Sequence, residues 1–249
     1  MRMGRGAGAP LRRAAAAVMI GLAACGGSEE KSKAEAPVPV ESTVGDTAMP
    51  TRGAASAARG PRVLIIGTSL TAGLGLDPDS AYPAVLQRIA DSSGVAATIV
   101  AAGLSGETSA GALRRADWLL RDRADVVVIE TGANDGLRGL DLDTTTANLR
   151  ALVAKVRAAQ PGARVLIAQM EAPRNLGAAY TRRFHALFGM VARESGAGLV
   201  PFFLDGIAGV PALNQDDGIH PNEEGARRAA AAMWRSLRPA LVDRGASGG

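Results

Sequence analysis

Apolar residues fall along this chain in two alternating patterns. Short, nearly continuous runs rich in Val, Ile and Ala occupy 63–66, 97–101, 125–130, 164–168 and 198–201. Runs of this kind predict strands, and their lack of polar alternation predicts burial on both faces. Longer stretches with apolar positions three and four apart lie between them. These are 81–92 (Val85, Leu86, Ile89), 107–121 (Leu113, Trp118, Leu119, Leu120), 144–159 (Leu149, Leu152, Val153, Val156), 179–194 and 222–237. They predict helices. The third stops before Pro161-Gly162, and Pro221 suits the first turn of the last.

Strands alternating with helices imply βαβ units and a parallel sheet. The fold expected over 61–243 is therefore α/β, with three layers (α/β/α), flavodoxin-like in outline. Any site should then lie in the loops that follow the strands' C-terminal ends. A hydrophobic content of 47% is enough for a core, and 3% aromatic residues with many alanines argue against an all-β protein.

The ends read differently. Residues 1–25 combine Arg2, Arg5, Arg12 and Arg13 with the uncharged run AAAAVMIGLAA at 14–24. Eleven residues are too few to span a bilayer but suit the apolar region of an export signal. The run ends in Leu22-Ala23-Ala24-Cys25, which resembles a bacterial lipobox, so Cys25 is the expected site of lipidation and of a membrane anchor. Cys25 is the only cysteine, which excludes an intrachain disulfide. The stretch 26–60 is Ala, Pro, Glu, Ser, Thr and Gly with little apolar periodicity; it reads as a disordered tether with a mean span of roughly 30 Å. Residues 244–249 read as a flexible tail. The expected setting is an exported periplasmic or cell-envelope lipoprotein.

Removing the signal changes the charge. Four of the 28 basic residues precede Cys25, leaving 24 against 24 acidic ones. The excess of +4 in the whole chain therefore lies in the leader and is no argument for nucleic acid, which is excluded as a partner.

Four loops carry possible chemistry. After the first strand comes GTSLTAG (67–73), where Ser69 can expose its Oγ at a tight strand-to-helix turn. A glycine-rich turn can also cradle a nucleotide, but there is no GxGxxG and no Gly-Lys-Ser/Thr. AGLSGETS (102–109) and TGAND (131–135) follow the next two strands, and each also suits a tight turn with a helix cap. DDGIHPN (216–222) holds one of the two histidines, three residues after Asp217. A carboxylate on one imidazole nitrogen fixes the tautomer and frees the other nitrogen to accept a serine proton. His185 sits in a helical pattern with no local acid and reads as a packing or surface residue. No His/Asp/Glu cluster has metal-ligand spacing, and no cofactor is implied.

GTSLTAG, SGETS, GAND and DGIHPN, in this order and spacing, resemble the SGNH (GDSL-type) hydrolase superfamily over nearly all of 61–243. The similarity is greatest to its bacterial thioesterase, lysophospholipase and arylesterase branch. The resemblance implies Ser69 as nucleophile, His220 as base and Asp217 as the group orienting it. It implies oxyanion donors at the Ser69 amide, the Gly106 amide and the Asn134 side chain. It also implies that Gly136, Leu137 and Arg138, with Gly139, belong to a mobile loop lining the acyl site. The implied substrates are small-molecule or lipid esters and thioesters, cleaved without metal. Carbohydrate O-deacetylation within the same superfamily is the alternative, though stacking aromatics are scarce. A non-catalytic surface lipoprotein is the alternative of another kind. The chain departs from the family pattern at Thr68, where an Asp is usual, and at Ala101 and Gly103, where polar residues are common.

Overall fold

The computed structural model describes residues 60–242. The segments expected as signal (with Cys25), as tail and, but for Gly60, as tether lie outside the described residues. Five strands form one parallel sheet: β1 Arg62–Gly67, β2 Thr98–Gly103, β3 Val126–Glu130, β4 Arg164–Ala168 and β5 Gly198–Val200. Their order is β2-β1-β3-β4-β5. All five coincide with the apolar runs.

The direction of winding reverses at β1, because the chain steps to β2 on one side and to β3 on the other. A crevice opens at such a reversal, outside the carboxyl ends of the strands. β3 is buried along its whole length and β1 from Val63 onward, as expected for central strands. β2 and β5 correct the expectation of burial on both faces. They are edge strands; β2 is half-buried or exposed throughout, and Gly198 and Leu199 are exposed.

Among the described residues, seven α-helices connect and cover the sheet: α1 Ser69–Ala72, α2 Tyr82–Ser92, α3 Ser109–Leu119, α4 Ala133–Leu137, α5 Leu142–Ala159, α6 Ala178–Ser195 and α7 Glu223–Val242. α2 packs beside α7, while α3 meets α5 and α5 meets α6. Right-handed crossovers put these two groups on opposite faces of the sheet, which makes the three layers. The apolar stripe of α5, Leu149, Leu152, Val153 and Val156, is buried as its spacing predicts.

Three helices differ from their patterns. α3 turns small residues, Ala112 and Ala116, to the core, so Trp118 lies off that stripe and is 65% exposed. α7 runs through Pro239 to Val242, because Leu237, Ala240 and Leu241 are buried and their packing outweighs one lost backbone bond. Pro221 stands outside α7, bridged to Asn214, and Asn222 accepts the Gly225 N–H at 3.0 Å as the cap. Gly103 closes β2 against α1. A Cβ there would overlap the Ala72 backbone, so no side chain, polar or otherwise, fits.

Candidate active site

The loops after β1, β2 and β3 meet the loop before α7 at one edge of the sheet. Gly67 ends β1, Thr68 turns the chain, and Ser69 opens α1. Ser69 Oγ lies 2.9 Å from His220 Nε2, although 151 residues separate them. His220 Nδ1 lies 2.5 Å from Asp217 Oδ2. The other oxygen of Asp217 accepts the Ile219 and His220 N–H groups at 2.8 and 2.9 Å. One carboxylate thus shapes the loop and aims the ring. Gly218, with φ +66°, makes the turn possible. An ionised carboxylate only accepts, so Nδ1 carries the proton and the Nε2 lone pair faces Ser69. The imidazole bond, helped by the two backbone donors, holds the Asp217 carboxyl down at about 2.

The three expected oxyanion donors line one groove with Ser69 and His220. Gly106 has φ +76°, a conformation that side-chain-bearing residues seldom adopt. Neither its amide nor that of Ser69 donates to another group among the described residues. Asn134 Nδ2 donates to the Glu107 carbonyl at 3.0 Å. This uses one amide hydrogen, fixes which end of the amide is nitrogen, and leaves the second hydrogen for a ligand.

The segment expected as a loop is partly helical. Gly136 and Leu137 are the last turn of α4, and Arg138 follows it. Leu137 lines the groove, whereas Gly136 is buried against the Phe184 ring, where no Cβ fits. Arg138 Nη2 donates to the Gly106 carbonyl at 3.0 Å, so it braces the loop after β2.

Behind Ser69 lies a network that the motifs left unread. Glu130, the last residue of β3, is fully buried. It accepts Thr68 Oγ1 at 2.9 Å, the Thr68 N–H at 3.1 Å and Thr71 Oγ1 at 2.6 Å. Thr71 Oγ1 is also 2.8 Å from the Tyr82 hydroxyl. Thr68 therefore pins the turn to β3 from a position where an Asp is usual. Burial pushes the Glu130 carboxyl up, and the threonine bonds oppose that rise. The signal in the sequence was the acid closing the run VVVIE, since a buried polar group must find partners.

Two more ties hold the loops. Arg115 on α3 grips Glu107 with Nε at 2.8 Å and Nη2 at 2.7 Å, and that same Nη2 donates to the Ala102 and Gly67 carbonyls at 2.8 and 3.1 Å. Buried Asp135 accepts the Ser109 N–H and hydroxyl at 2.8 and 2.6 Å, which caps α3 from the loop after β3. His185 is exposed on α6, as expected, yet it has an acid partner: its Nδ1 lies 2.6 Å from Glu171 Oε1.

The groove has a volume of about 1390 Å³ and is largely apolar, with Leu70, Leu74, Met170, Phe202 and Leu204 among its walls. Among the described residues no group of three or more His, Cys, Asp or Glu side chains is placed to hold a metal ion.

Residues 65–228 match the model of the GDSL-like Lipase/Acylhydrolase family. The chain is 40% identical to "Esterase TesA" of Pseudomonas aeruginosa, over 72% of this chain and 89% of that protein. It is 36% identical to "Thioesterase 1/protease 1/lysophospholipase L1" of Escherichia coli K12, over 74% of this chain and 86% of that one. Among solved structures, the psychrotrophic esterase EstA of Pseudoalteromonas, inhibited by monoethylphosphonate, superposes with a TM-score of 0.69. It is 36% identical and covers 72% of this chain and 97% of its own.

Proposed function

This chain belongs to the GDSL-like Lipase/Acylhydrolase family, and we propose that it hydrolyses carboxylic esters and thioesters through an acyl intermediate on Ser69. The observation that carries the reading is the relay from Asp217 through His220 to Ser69, with contacts of 2.5 and 2.9 Å. His220 Nε2 takes the Ser69 proton as Oγ attacks the acyl carbon. The carbonyl oxygen gains the charge, and the Ser69 and Gly106 amides and the free Asn134 N–H receive it. Collapse breaks the bond to the alcohol or thiol, which leaves with the proton from His220. Water then repeats the sequence on the acyl-serine, with His220 again as base, and releases the acid and free Ser69. Asp217 keeps the ring in the tautomer both halves need.

The names of the relatives, esterase and thioesterase/lysophospholipase, support acyl esters with alcohol or thiol leaving groups as the substrate class. Attachment of the protein to a membrane through lipid on Cys25 is a further part of the proposal, supported by Leu22-Ala23-Ala24-Cys25 after a basic stretch. Among the described residues no helix is long and apolar enough to cross a membrane.

The test is turnover of a p-nitrophenyl ester by Ser69→Ala and His220→Ala. Each should lose at least about 10⁴-fold in kcat, and the double variant should be little worse, because the groups act as a unit. A fluorophosphonate probe should label Ser69 in the wild type. A folded Ser69→Ala protein with near-native turnover would overturn the assignment.

A further inference from the structure

Two of the three oxyanion donors are held very differently. Asn134 is half-buried in α4, and its side-chain amide is tied to the Glu107 carbonyl at 3.0 Å. Gly106 sits in a turn where Leu104, Ser105 and Gly106 are all exposed. The Glu107 N–H closes this turn on the Leu104 carbonyl at 3.2 Å. Gly106 is the third of its four residues, with φ +76°, which is the arrangement of a type II turn. Types I and II differ by roughly half a turn in the two dihedrals that flank the central peptide, here the one that carries the Gly106 N–H. Glycine takes positive and negative φ about equally, so residue 106 does not by itself hold that N–H towards the groove. A donor carried on such a turn needs ties from outside it.

At Gly106 the tie is Arg138. Its Nη2 donates to the Gly106 carbonyl at 3.0 Å. Chain neighbours apart, a Cβ at 106 would meet nothing within 4 Å but that same Nη2, at 3.6 Å. Arg138 is fixed in turn to the other donor, since its backbone N–H is accepted by the Asn134 carbonyl at 3.2 Å. A closed circuit results. It runs from the Asn134 side chain to Glu107, along the chain to Gly106, across to Arg138 and back to the Asn134 carbonyl. Both donors belong to it, and Arg138 closes it from an exposed position. Arg115 grips buried Glu107 and the ends of two strands, so it secures the base of the loop and leaves the tip to Arg138.

We propose that Arg138 is a positioning residue for the oxyanion hole: its bond to the Gly106 carbonyl keeps the Gly106 and Asn134 N–H groups aimed at one oxygen. The proposal rests on Ser69 as the nucleophile. Leu137 lines the groove and Arg138 does not, so Arg138 acts through Gly106 rather than on the acyl chain. Placement matters because the bond to the oxyanion strengthens as charge develops, and a misplacement of about 1 Å costs up to roughly 10²-fold. A released tip still carries its N–H and spends only part of its time turned away. The loss should therefore be smaller than the roughly 10²–10³ that follows from deleting a donor outright.

The experiment measures steady-state turnover of p-nitrophenyl butyrate and inhibition by n-butylboronic acid in the full chain. Boron takes the Ser69 oxygen while the proton passes to His220, which leaves a tetrahedral boronate with an oxygen in the hole. Arg138→Met keeps the stem and loses the donor. Its kcat and kcat/KM should fall together by about tenfold with KM little changed, and the boronic acid should bind about tenfold more weakly. Arg138→Gln, too short to reach the carbonyl, should match it. Arg138→Lys should restore most of kcat, because one single bond is made here and an ammonium can make it. Melting temperatures should stay within about 4 °C of the wild type, since the lost bond is exposed. Unchanged kcat in folded Arg138→Met and Arg138→Gln overturns the proposal. So does a loss confined to KM, which would put Arg138 on the substrate, or a loss that Arg138→Lys does not recover. A wild-type protein that neither cleaves the ester nor binds the boronic acid overturns the Ser69 reading itself.

Discussion

Replacing Glu130 separates the demands of a buried charge from those of a buried set of donors. Glu130→Ala leaves the Thr68 N–H, the Thr68 hydroxyl and the Thr71 hydroxyl without their acceptor. Each stranded donor costs about 1–3 kcal/mol, and removal of an uncompensated carboxylate returns part of the sum. A net loss of about 3 kcal/mol corresponds to a drop in Tm of roughly 6–12 °C for a domain of this size. Glu130→Gln behaves differently. Its carbonyl can take the Thr68 N–H and the Thr71 hydroxyl, while its amide donates to Thr68 Oγ1, whose own proton rotates away. Stability should then change by no more than about 1 kcal/mol at neutral pH.

The pH dependence has a definite sign. A raised carboxyl in the folded state binds its proton more tightly there than in the unfolded chain. Its unfavourable contribution is absent below the ordinary glutamate value and grows as pH rises from that value towards the raised one. Wild type minus Glu130→Gln should therefore fall over that window and level off above it. Urea unfolding followed by Trp118 and Trp234 fluorescence, at several pH values from 4 to 8, measures the difference. Equal stability of the Ala and Gln variants, or a flat difference across the range, would refute the reasoning.

Asn134→Ala should lower kcat by roughly 10²–10³ with little change in KM, since the bond it offers strengthens as the oxyanion forms; unchanged kcat in a steady-state assay would remove Asn134 from the donors. Gly106→Ala should be harmful too, because φ +76° strains any side chain; an unaltered melting curve and unaltered kcat would show that the loop relaxes freely. Asp217→Asn should keep the fold yet lose about 10⁴ in kcat, because an amide facing Nδ1 favours the wrong tautomer; stability measured in acid should show the wild type losing an advantage as pH falls from the ordinary aspartate value towards about 2, with the variant flat. Cys25→Ser should abolish lipid on the mature protein, read by mass spectrometry and membrane fractionation.

Much of this architecture was legible in the sequence because the same physics acts locally. The strands are buried apolar runs, and their burial is what makes them nearly continuous. That Ser69, His220 and Asp217 come together was legible because the proposed triad needs particular side chains in glycine-bearing loops. Contacts at long range were not. Glu130 reaches Thr68 across 62 residues because β3 lies beside β1, and His185 reaches Glu171 across 14 through the packing of α6 beside the loop after β4; no local period encodes either pairing. α1 and α4 have four and five residues, too short to show a helical stripe. α3 starts at Ser109 rather than near Glu107, because the Glu107 side chain is turned to Arg115 and Asp135 supplies the cap.

The Arg115 bracket bears on how such sites are rebuilt. Glu107 belongs to the loop after β2, but its cation comes from the middle of α3, and the same guanidinium holds the Gly67 carbonyl that ends β1 and the Ala102 carbonyl one residue before the end of β2. A loop swap that moves residues 104–108 alone would separate the pair. The buried Glu107 carboxylate left so costs about 3–5 kcal/mol, enough to unseat the Gly106 turn before any chemistry is tested. The transferable module is therefore the loop together with the first two turns of α3, and a graft that respects this unit carries its own scaffold with it.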